Sequence, residues 1–312
     1  MSTTQTLNIQ ETFGIEQTGD VMAYQHPNEF VPTVDPDYYF HGATTQAILA
    51  GFQYNRRVLL QGMHGTGKSS HIEQIAARLN WPCMRVNLDG NISRLDLVGK
   101  DTLTLEDGKQ VTAFQEGIIP WAMQQPMALV FDEYDAGRPE VMFVIQRLLE
   151  AQGEFAMLDK NKVIKAHPAF RLFATANTVG LGNTQGLYHG TNVLNQAQID
   201  RWHIVAKLDY LPQTQEVSLL KRSEPQSTLT DEVLAQMVAL ANLTRNAFKV
   251  GDLSTLMSLR TLTHWIQNEP IFGSLEEAFT LTFLNKCDVN EKPLIEELYQ
   301  RVFDRPLDEE SA

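Results

Sequence analysis

The chain has 312 residues, 43% of them hydrophobic, which is enough apolar material for about two packed domains. It carries 25 Lys and Arg against 38 Asp and Glu, and this net charge of −13 argues against a general nucleic-acid binder. The sequence has no run of 18 apolar residues, and it begins without the charged and apolar regions of a secretory signal. We therefore expect a cytoplasmic protein with no membrane span.

The first 40 residues predict an extended or loosely folded N-terminal segment. They are polar and contain His26-Pro27, Val31-Pro32 and Asp35-Pro36, and the residue before a proline avoids the helical region. From residue 41 to 212, apolar runs of β type alternate with helical spacing, which predicts an α/β domain with a parallel sheet. The predicted strands cover residues 57–61, 84–88, 127–131, 171–175 and 203–208.

A glycine-rich motif follows the first predicted strand. It reads Gly62-Met63-His64-Gly65-Thr66-Gly67-Lys68-Ser69, matches the pattern G-x-x-x-x-G-K-S/T in full, and precedes a stretch of helical spacing. Strand, loop and helix together direct backbone N–H groups toward phosphates. The residues expected to bind ATP through this loop are Gly62, His64, Gly65, Thr66, Gly67 and Ser70. Lys68 is expected to reach the β- and γ-phosphates and Ser69 to ligate Mg²⁺; the alternative is a structural glycine turn.

Two segments interrupt the α/β alternation. Residues 102–114 alternate apolar and polar side chains around Asp107-Gly108, which is a strong hairpin signal. Residues 154–165 predict a second hairpin that turns near residues 159–161. We expect both hairpins to contact a partner or line a channel, with decorative loops as the alternative.

The third predicted strand ends in two adjacent acids, Asp132 and Glu133. Core packing gives no reason for a carboxylate pair there, whereas ligands of parallel α/β sheets bind at the carboxyl ends of strands. We expect Asp132 to hold Mg²⁺, directly or through water, and Glu133 to deprotonate the attacking water. The alternative is the solvated start of a loop.

Three further polar residues come later in the chain. Asn177 follows the fourth strand, where its amide could bind the γ-phosphate or the lytic water, or could simply cap a turn. Arg201 precedes the fifth strand. Arg260 lies beyond residue 213, where the β-signals stop and residues 213–312 predict an all-helical lid domain. Taken alone, either arginine could be an ordinary surface residue.

The remaining candidates for a metal centre are scattered. The histidines show no His-x-x-x-His or His/Cys cluster, and Cys83 and Cys287 lie far apart. We therefore expect free thiols in a reducing compartment and no protein metal centre other than nucleotide-bound Mg²⁺.

This ordered set of motifs resembles the AAA+ ATPases, and within them the MoxR-type branch. Longer strings, such as Phe131-Asp132-Glu133-Tyr134-Asp135-Ala136-Gly137-Arg138-Pro139 and Gly186-Leu187-Tyr188-His189-Gly190-Thr191, resemble the AAA+ subunits of aerobic cobaltochelatases. In a ring ATPase the position of Arg201 faces the nucleotide of the neighbouring subunit, and that of Arg260 senses the γ-phosphate. Ser258-Leu259-Arg260 departs from the Ser-Pro-Arg that such proteins often carry, which weakens the expectation for Arg260.

The resemblance also implies partners. It implies a homo-oligomeric ring, a metal-binding subunit with an integrin-like domain, and a large subunit that holds the corrin. Hydrolysis of ATP would then drive insertion of cobalt into hydrogenobyrinic acid a,c-diamide during cobalamin biosynthesis. Two alternatives remain open: a MoxR-like chaperone that matures the metal site of another protein, and a nucleic-acid motor, which the acidic charge disfavours.

Overall fold

The computed structural model describes residues 3–89, 91–106, 109–150, 153–177 and 196–307. These residues form two compact units. The first unit comprises the described residues up to Met63, from Gly67 to residue 177, and from residue 196 to Leu208. The second comprises His64–Thr66 and residues 209–307.

The first unit contains both helices and strands. Its strands are β1 (Thr4–Asn8), β2 (Asp20–Tyr24), β3 (Val58–Gln61), β4 (Cys83–Asn87), β5 (Gly99–Glu106), β6 (Lys109–Glu116), β7 (Ala128–Asp132), β8 (Glu154–Met157), β9 (Lys162–Lys165), β10 (Arg171–Ala176) and β11 (Ile204–Lys207). Its helices are α1 (Ile9–Phe13), α2 (Gly42–Tyr54), α3 (Lys68–Arg78), α4 (Arg94–Val98), α5 (Ile118–Met123), α6 (Pro139–Glu150) and α7 (Gln196–Ile199).

Five of these strands form one parallel sheet in the order β11-β3-β10-β7-β4. All five were predicted, each boundary within one residue, and the prediction of a parallel sheet is confirmed. The central strands are almost continuously apolar because helices cover both faces of the sheet. Since β10 pairs with both β3 and β7, the ends of the strands that precede Gly62, Glu133 and Asn177 lie side by side.

Alternate residues of the sheet pack into two different cores. Leu59, Leu129 and Leu172 point to one face, where they pack with α5 and α6. Val58, Val130 and Phe173 point to the other, where they pack with α2, α3 and the N-terminal residues. This alternation follows from the two-residue repeat of a strand and gives the sheet a helical layer on each side.

The N-terminal segment is more ordered than its polar sequence predicts. β1 and β2 pair antiparallel around the short helix α1, and Ile9, Phe13 and Val21 are buried against the sheet core. The backbone N–H of Tyr24 donates to the carbonyl of Leu79 at the end of α3, 2.9 Å away. The segment, predicted as extended or loosely folded, thus contains two extended strands whose apolar side chains pack on the sheet core.

Both predicted hairpins are present. β5 pairs antiparallel with β6 from Gly99↔Glu116 to Glu106↔Lys109, and the predicted turn at Asp107-Gly108 lies outside the described residues. β8 pairs with β9 from Glu154↔Lys165 to Met157↔Lys162. Whether either hairpin contacts a partner stays a prediction.

The second unit is helical over its described residues, which confirms the prediction of a helical C-terminal region. Its helices are α8 (Gln213–Ser223), α9 (Asp231–Val250), α10 (Leu259–Phe272), α11 (Leu275–Thr282) and α12 (Lys292–Phe303). Its core is rich in aromatic side chains, with Trp265 in contact with Phe279 and Phe303. A buried ion pair joins Arg245 to Glu216 at 2.8 Å. Removing one partner of such a pair typically costs about 3–5 kcal/mol, since the other charge is left unpaired.

Candidate nucleotide site

The glycine loop begins where β3 ends. The backbone N–H of Gly62 donates to the carbonyl of Ala176 on β10, 3.2 Å away, which ties the start of the loop to the neighbouring strand. Gly65 and Gly67 have φ angles of 73° and 86°, in the left-handed region that favours glycine. Helix α3 then begins at Lys68 with Gly67 as its N-cap residue, so the first N–H groups of the helix follow the loop directly.

Three loop residues, His64–Thr66, belong to the second unit. Within that unit the Tyr210 hydroxyl donates to the His64 carbonyl at 2.6 Å, and the His64 ring meets the Phe248 ring edge-on. A Cβ atom at Gly65 would come within 2.3 Å of the Ser258 Cβ, so this position has no room for a side chain. Neither Tyr210 nor Phe248 was singled out from the sequence, since neither belongs to a motif.

The Lys68 side chain connects the glycine loop to β10. Its ammonium donates to the carbonyls of Gly62 and Met63 at 2.8 and 2.9 Å and to Asn177 Oδ1 at 2.8 Å. Burial lowers the pKa of Lys68 to about 8, although Asp132, Asp135 and Glu133 act in the opposite direction. The ammonium is therefore held by neutral oxygens in a position where a phosphate could replace them.

Binding of ATP should weaken as the pH rises above about 8. Lys68 has a depressed pKa, so its charged form is present below about pH 8 and is lost above it. Phosphate attracts only that charged form, and a single proton gives at most about tenfold weaker binding per pH unit. We expect this slope in the dissociation constant of ATP measured by calorimetry from pH 7 to 10. Lys68→Arg, which stays charged throughout, is the control, and the same slope in that variant would contradict the assignment.

Ser69 and Asp132 contact each other directly. The Ser69 hydroxyl donates to Asp132 Oδ1 at 2.6 Å, and the Thr175 hydroxyl donates to the same oxygen. The other carboxylate oxygen of Asp132 faces Arg85 Nε at 3.7 Å. Sequence reasoning missed Thr175 and Arg85, although Thr175 is the one hydroxyl in the buried strand β10 and could have been found by that signal.

Glu133 lies just beyond β7 and is exposed. Its φ of 54° is unusual for a residue other than glycine, and its backbone N–H donates to the Thr175 hydroxyl at 3.3 Å. Desolvation of its carboxyl by the surrounding groups and the neighbouring Asp132 and Asp135 raise the pKa of Glu133, with Lys68 opposing them. A higher pKa makes a carboxylate a stronger base, which suits the role predicted for Glu133.

Asn177 is positioned by a residue that the sequence did not single out. Its side-chain oxygen accepts from Lys68, and its backbone N–H donates to the Asp135 carboxylate at 3.0 Å. Asp135 is fully buried in the turn that follows Glu133. In the sequence, only the position of Asp135 two residues after Glu133 could have indicated this role.

Arg201 does not join this cluster. Its guanidinium donates to the carbonyl of Ala197 in α7 and pairs with the Glu150 carboxylate at the end of α6. Its neighbour Trp202 packs edge-on against Tyr134, 5.4 Å away between ring centroids. The turn that carries Arg201 is thus linked to the turn after Glu133 through a buried aromatic pair. The predicted role toward a second subunit stays a prediction.

Arg260 lies on the second unit, exposed in the first turn of α10. The Ser258 hydroxyl caps this helix by accepting from the N–H of Thr261 at 3.2 Å. Ser70 is likewise exposed in the first turn of α3. The roles of both toward a nucleotide stay predictions.

Two further observations concern the part of the chain that the structure describes. Among those residues, no three His, Cys, Asp or Glu side chains are arranged to hold a metal ion. No helix among them combines the length and apolarity needed to cross a membrane. Cys83 and Cys287 are free thiols, and burial raises the pKa of both.

Comparison with known proteins extends these observations. The family model of the AAA domain (dynein-related subfamily) matches residues 57–202. The aerobic cobaltochelatase subunit CobS of Sinorhizobium sp is 58% identical over 309 residues, which cover 98% of this chain and 93% of that protein. An uncharacterised protein of Staphylococcus epidermidis is 31% identical over 240 residues, 76% of this chain and 86% of its own.

Solved structures agree on the fold. A mutant of RuvB from Thermotoga maritima superposes with a TM-score of 0.51 over 85% of this chain and 75% of that chain. Sequence identity in that comparison is 13%, so the likeness concerns the fold alone.

Proposed function

The chain belongs to the family of the aerobic cobaltochelatase subunit CobS, and we propose that it is the ATP-hydrolysing motor subunit of a cobaltochelatase. The observation that carries the proposal is 58% identity over 98% of the chain to that subunit. The contacts among Lys68, Ser69, Asp132 and Asn177 support the same conclusion, because they join a phosphate loop to acidic and amide groups at strand ends.

ATP binding rests on the loop and the start of α3. The backbone N–H groups of the loop, with those of the first helical turn, would surround the phosphates. Lys68 would exchange its three present acceptors for phosphate oxygens, and the negative charge would restore its pKa toward the ordinary value.

The residues present fit Mg²⁺ as well as ATP. Ser69 Oγ and Asp132 Oδ1 already lie 2.6 Å apart, and a hydroxyl with a carboxylate is the donor set that Mg²⁺ takes beside a nucleotide. Bound Mg²⁺ supplies neutralisation of the charge that develops on the phosphate oxygens. Thr175 would keep the Asp132 carboxylate oriented, since its hydroxyl donates to the same oxygen.

Hydrolysis needs a base and an oriented water. Glu133 would accept the proton of the attacking water, and the side-chain amide of Asn177 would hold that water or the γ-phosphate. The hydrogen bond from the Asn177 backbone to Asp135 would position Asn177 relative to the turn that follows Glu133. We assign a cytoplasmic location to this chemistry, because ATP is the substrate.

The energy of hydrolysis would be used by an assembly rather than by this subunit alone. We propose a homo-oligomeric ring in which Arg201 reaches the nucleotide of the adjacent subunit. A metal-binding subunit with an integrin-like domain and a large subunit that holds the corrin would complete the enzyme. The described residues offer no ligand cluster for Co²⁺, which is a substrate of the assembly.

Reconstitution tests this division of labour. The purified protein should hydrolyse ATP but produce no cobalt corrin from Co²⁺, hydrogenobyrinic acid a,c-diamide and ATP. Adding the two partner subunits should give metallated product, detected by its absorption spectrum, and Lys68→Ala should abolish it. Metallation by the isolated protein would show that the chelation site is misplaced. ATP hydrolysis without metallation by the complete assembly would favour a MoxR-like chaperone instead.

A further inference from the structure

A cavity of about 470 Å³ lies in the first unit, at the edge of the sheet opposite the glycine loop. Its lining includes Arg57, Phe170 and His203, which directly precede β3, β10 and β11. Because these strands are parallel, their amino ends share one edge and the nucleotide site lies at the other. A strand of four to six residues separates the two edges by about 13–20 Å.

Arg57 and His203 make two contacts in this cavity, and one of them brings two donor nitrogens together. The backbone N–H of Arg57 donates to His203 Nδ1 at 3.0 Å. A neutral imidazole has one accepting nitrogen, so Nε2 of His203 must carry the proton. That Nε2 lies 3.1 Å from Arg57 Nη2, which is also a donor, and Arg57 Nη1 is buried with no hydrogen-bond partner among the described residues. An acceptor is therefore missing from this group.

Two further side chains of the lining, His167 and Lys165, carry donors. His167 Nδ1 accepts from the N–H of Ala169 at 3.0 Å, so its Nε2 carries a proton by the same reasoning. Lys165 adds an ammonium, and the carboxylate among the described lining residues is Glu154, which is exposed and 3.7 Å from Lys165. Arg57 and Lys165 against Glu154 leave one net positive charge on the described lining, whereas the whole chain carries −13.

The surroundings strengthen the attraction for a negative charge. Met123, Leu148 and Leu172 form the apolar part of the lining, which lowers the local dielectric constant. Burial, together with the charges of Arg57 and Arg56, lowers the pKa of His203, and burial lowers that of Arg57. Burial is the main cause of both shifts, and an anion beside the two groups would favour their charged forms.

We propose that this cavity binds an oxyanion of the phosphate type, either free or as the end of a small phosphate ester. The guanidinium, two imidazole N–H groups and the ammonium come from different parts of the chain. The acceptor sites of a carboxylate lie in one plane, whereas a tetrahedral oxyanion directs three or four oxygens toward donors that come from several elements. A volume of about 470 Å³ also accommodates a small ester. The site is separate from the nucleotide site and does not depend on the proposed function.

Histidine side-chain NMR on the full-length protein tests the proposal. Inorganic phosphate is titrated in at constant ionic strength, and the ring signals of His203 and His167 are followed, with His64 reporting on the glycine loop. We expect saturable shifts at His203 and His167 at lower concentrations of phosphate than of acetate. Arg57→Gln should weaken this binding at least about tenfold, as expected for a lost charge-assisted hydrogen bond.

Arg56→Gln is the matched control, because it removes the same charge from the adjacent exposed position. This variant should keep the saturable shifts, and His203→Gln, read out at His167, should lose them. Shifts that never saturate, or equal affinity in Arg57→Gln and Arg56→Gln, would overturn the proposal. Equal binding of acetate and phosphate would overturn the preference for a tetrahedral oxyanion.

Discussion

Glu133→Gln should bind ATP as the wild type does and hydrolyse it about 10²–10⁴-fold more slowly. General-base catalysis is worth that factor, and glutamine keeps the shape of the side chain but cannot take a proton. The contacts that hold Lys68, Ser69 and Asp132 involve no atom of the Glu133 side chain, so the binding residues should stay in place. Backbone strain at Glu133, with its φ of 54°, is common to both proteins.

Two measurements separate binding from turnover. Calorimetry gives the affinity for ATP, and release of phosphate gives the rate. Glu140→Gln, which changes an exposed glutamate in the first turn of α6, should match the wild type in both. Lys68→Ala should instead lose the binding itself, because the phosphates lose their main cationic partner. Wild-type turnover in Glu133→Gln would remove the assignment of the base.

Arg201→Ala should fold, bind ATP and lose about 10³–10⁵ in hydrolysis rate, the factor that an arginine finger supplies. In the structure Arg201 pairs with Glu150 and lies outside the Lys68 cluster, so we expect its effect on hydrolysis to come through a neighbouring subunit. The ion pair with an exposed carboxylate contributes little to stability, which is why we expect the variant to fold.

Mixing two inactive variants tests whether Arg201 completes the site of a neighbouring subunit or is a structural residue of its own subunit. Arg201→Ala and Lys68→Ala should each be inactive, but a mixed ring would pair an intact Lys68 site with an intact Arg201 from the next subunit. The ATPase rate should therefore recover at intermediate ratios, at concentrations where size-exclusion chromatography shows oligomers. Arg147→Ala, an exposed arginine on α6, should keep wild-type activity. An absence of recovery at every ratio, with mixed rings demonstrated, would make Arg201 a structural residue.

Sequence patterns predicted the fold because its signals are local. Each strand of the parallel sheet is a short apolar run bounded by turns, and each boundary came within one residue. Both hairpins were predicted from two-residue alternation around polar turns. The packing of the N-terminal residues was not predicted, because Ile9, Phe13 and Val21 are too far apart to make an apolar run. Only their burial against the sheet reveals their role.

The residues of the candidate site also fall into two groups, those that local sequence predicts and those that only distant contacts reveal. A contiguous motif identified Lys68 and Ser69, and strand ends identified Asp132, Glu133 and Asn177, since parallel strands bring their carboxyl ends to one edge. Thr175, Asp135 and Arg85 enter the site through contacts with residues far away in the chain. Only the order β3-β10-β7 of the neighbouring strands makes those contacts possible.

By itself the sequence determined the class of the fold, the candidate phosphate loop and the acids at the strand end, because each signal lies in residues that are adjacent along the chain. Tertiary structure alone decided which oxygens hold the Lys68 ammonium, which carboxylate pairs with Arg201, and where Arg57 meets His203. Hydrogen bonds and charges act over a few ångströms in space, regardless of distance along the chain. For residues as far apart as Arg57 and His203, that proximity exists only once the sheet has formed.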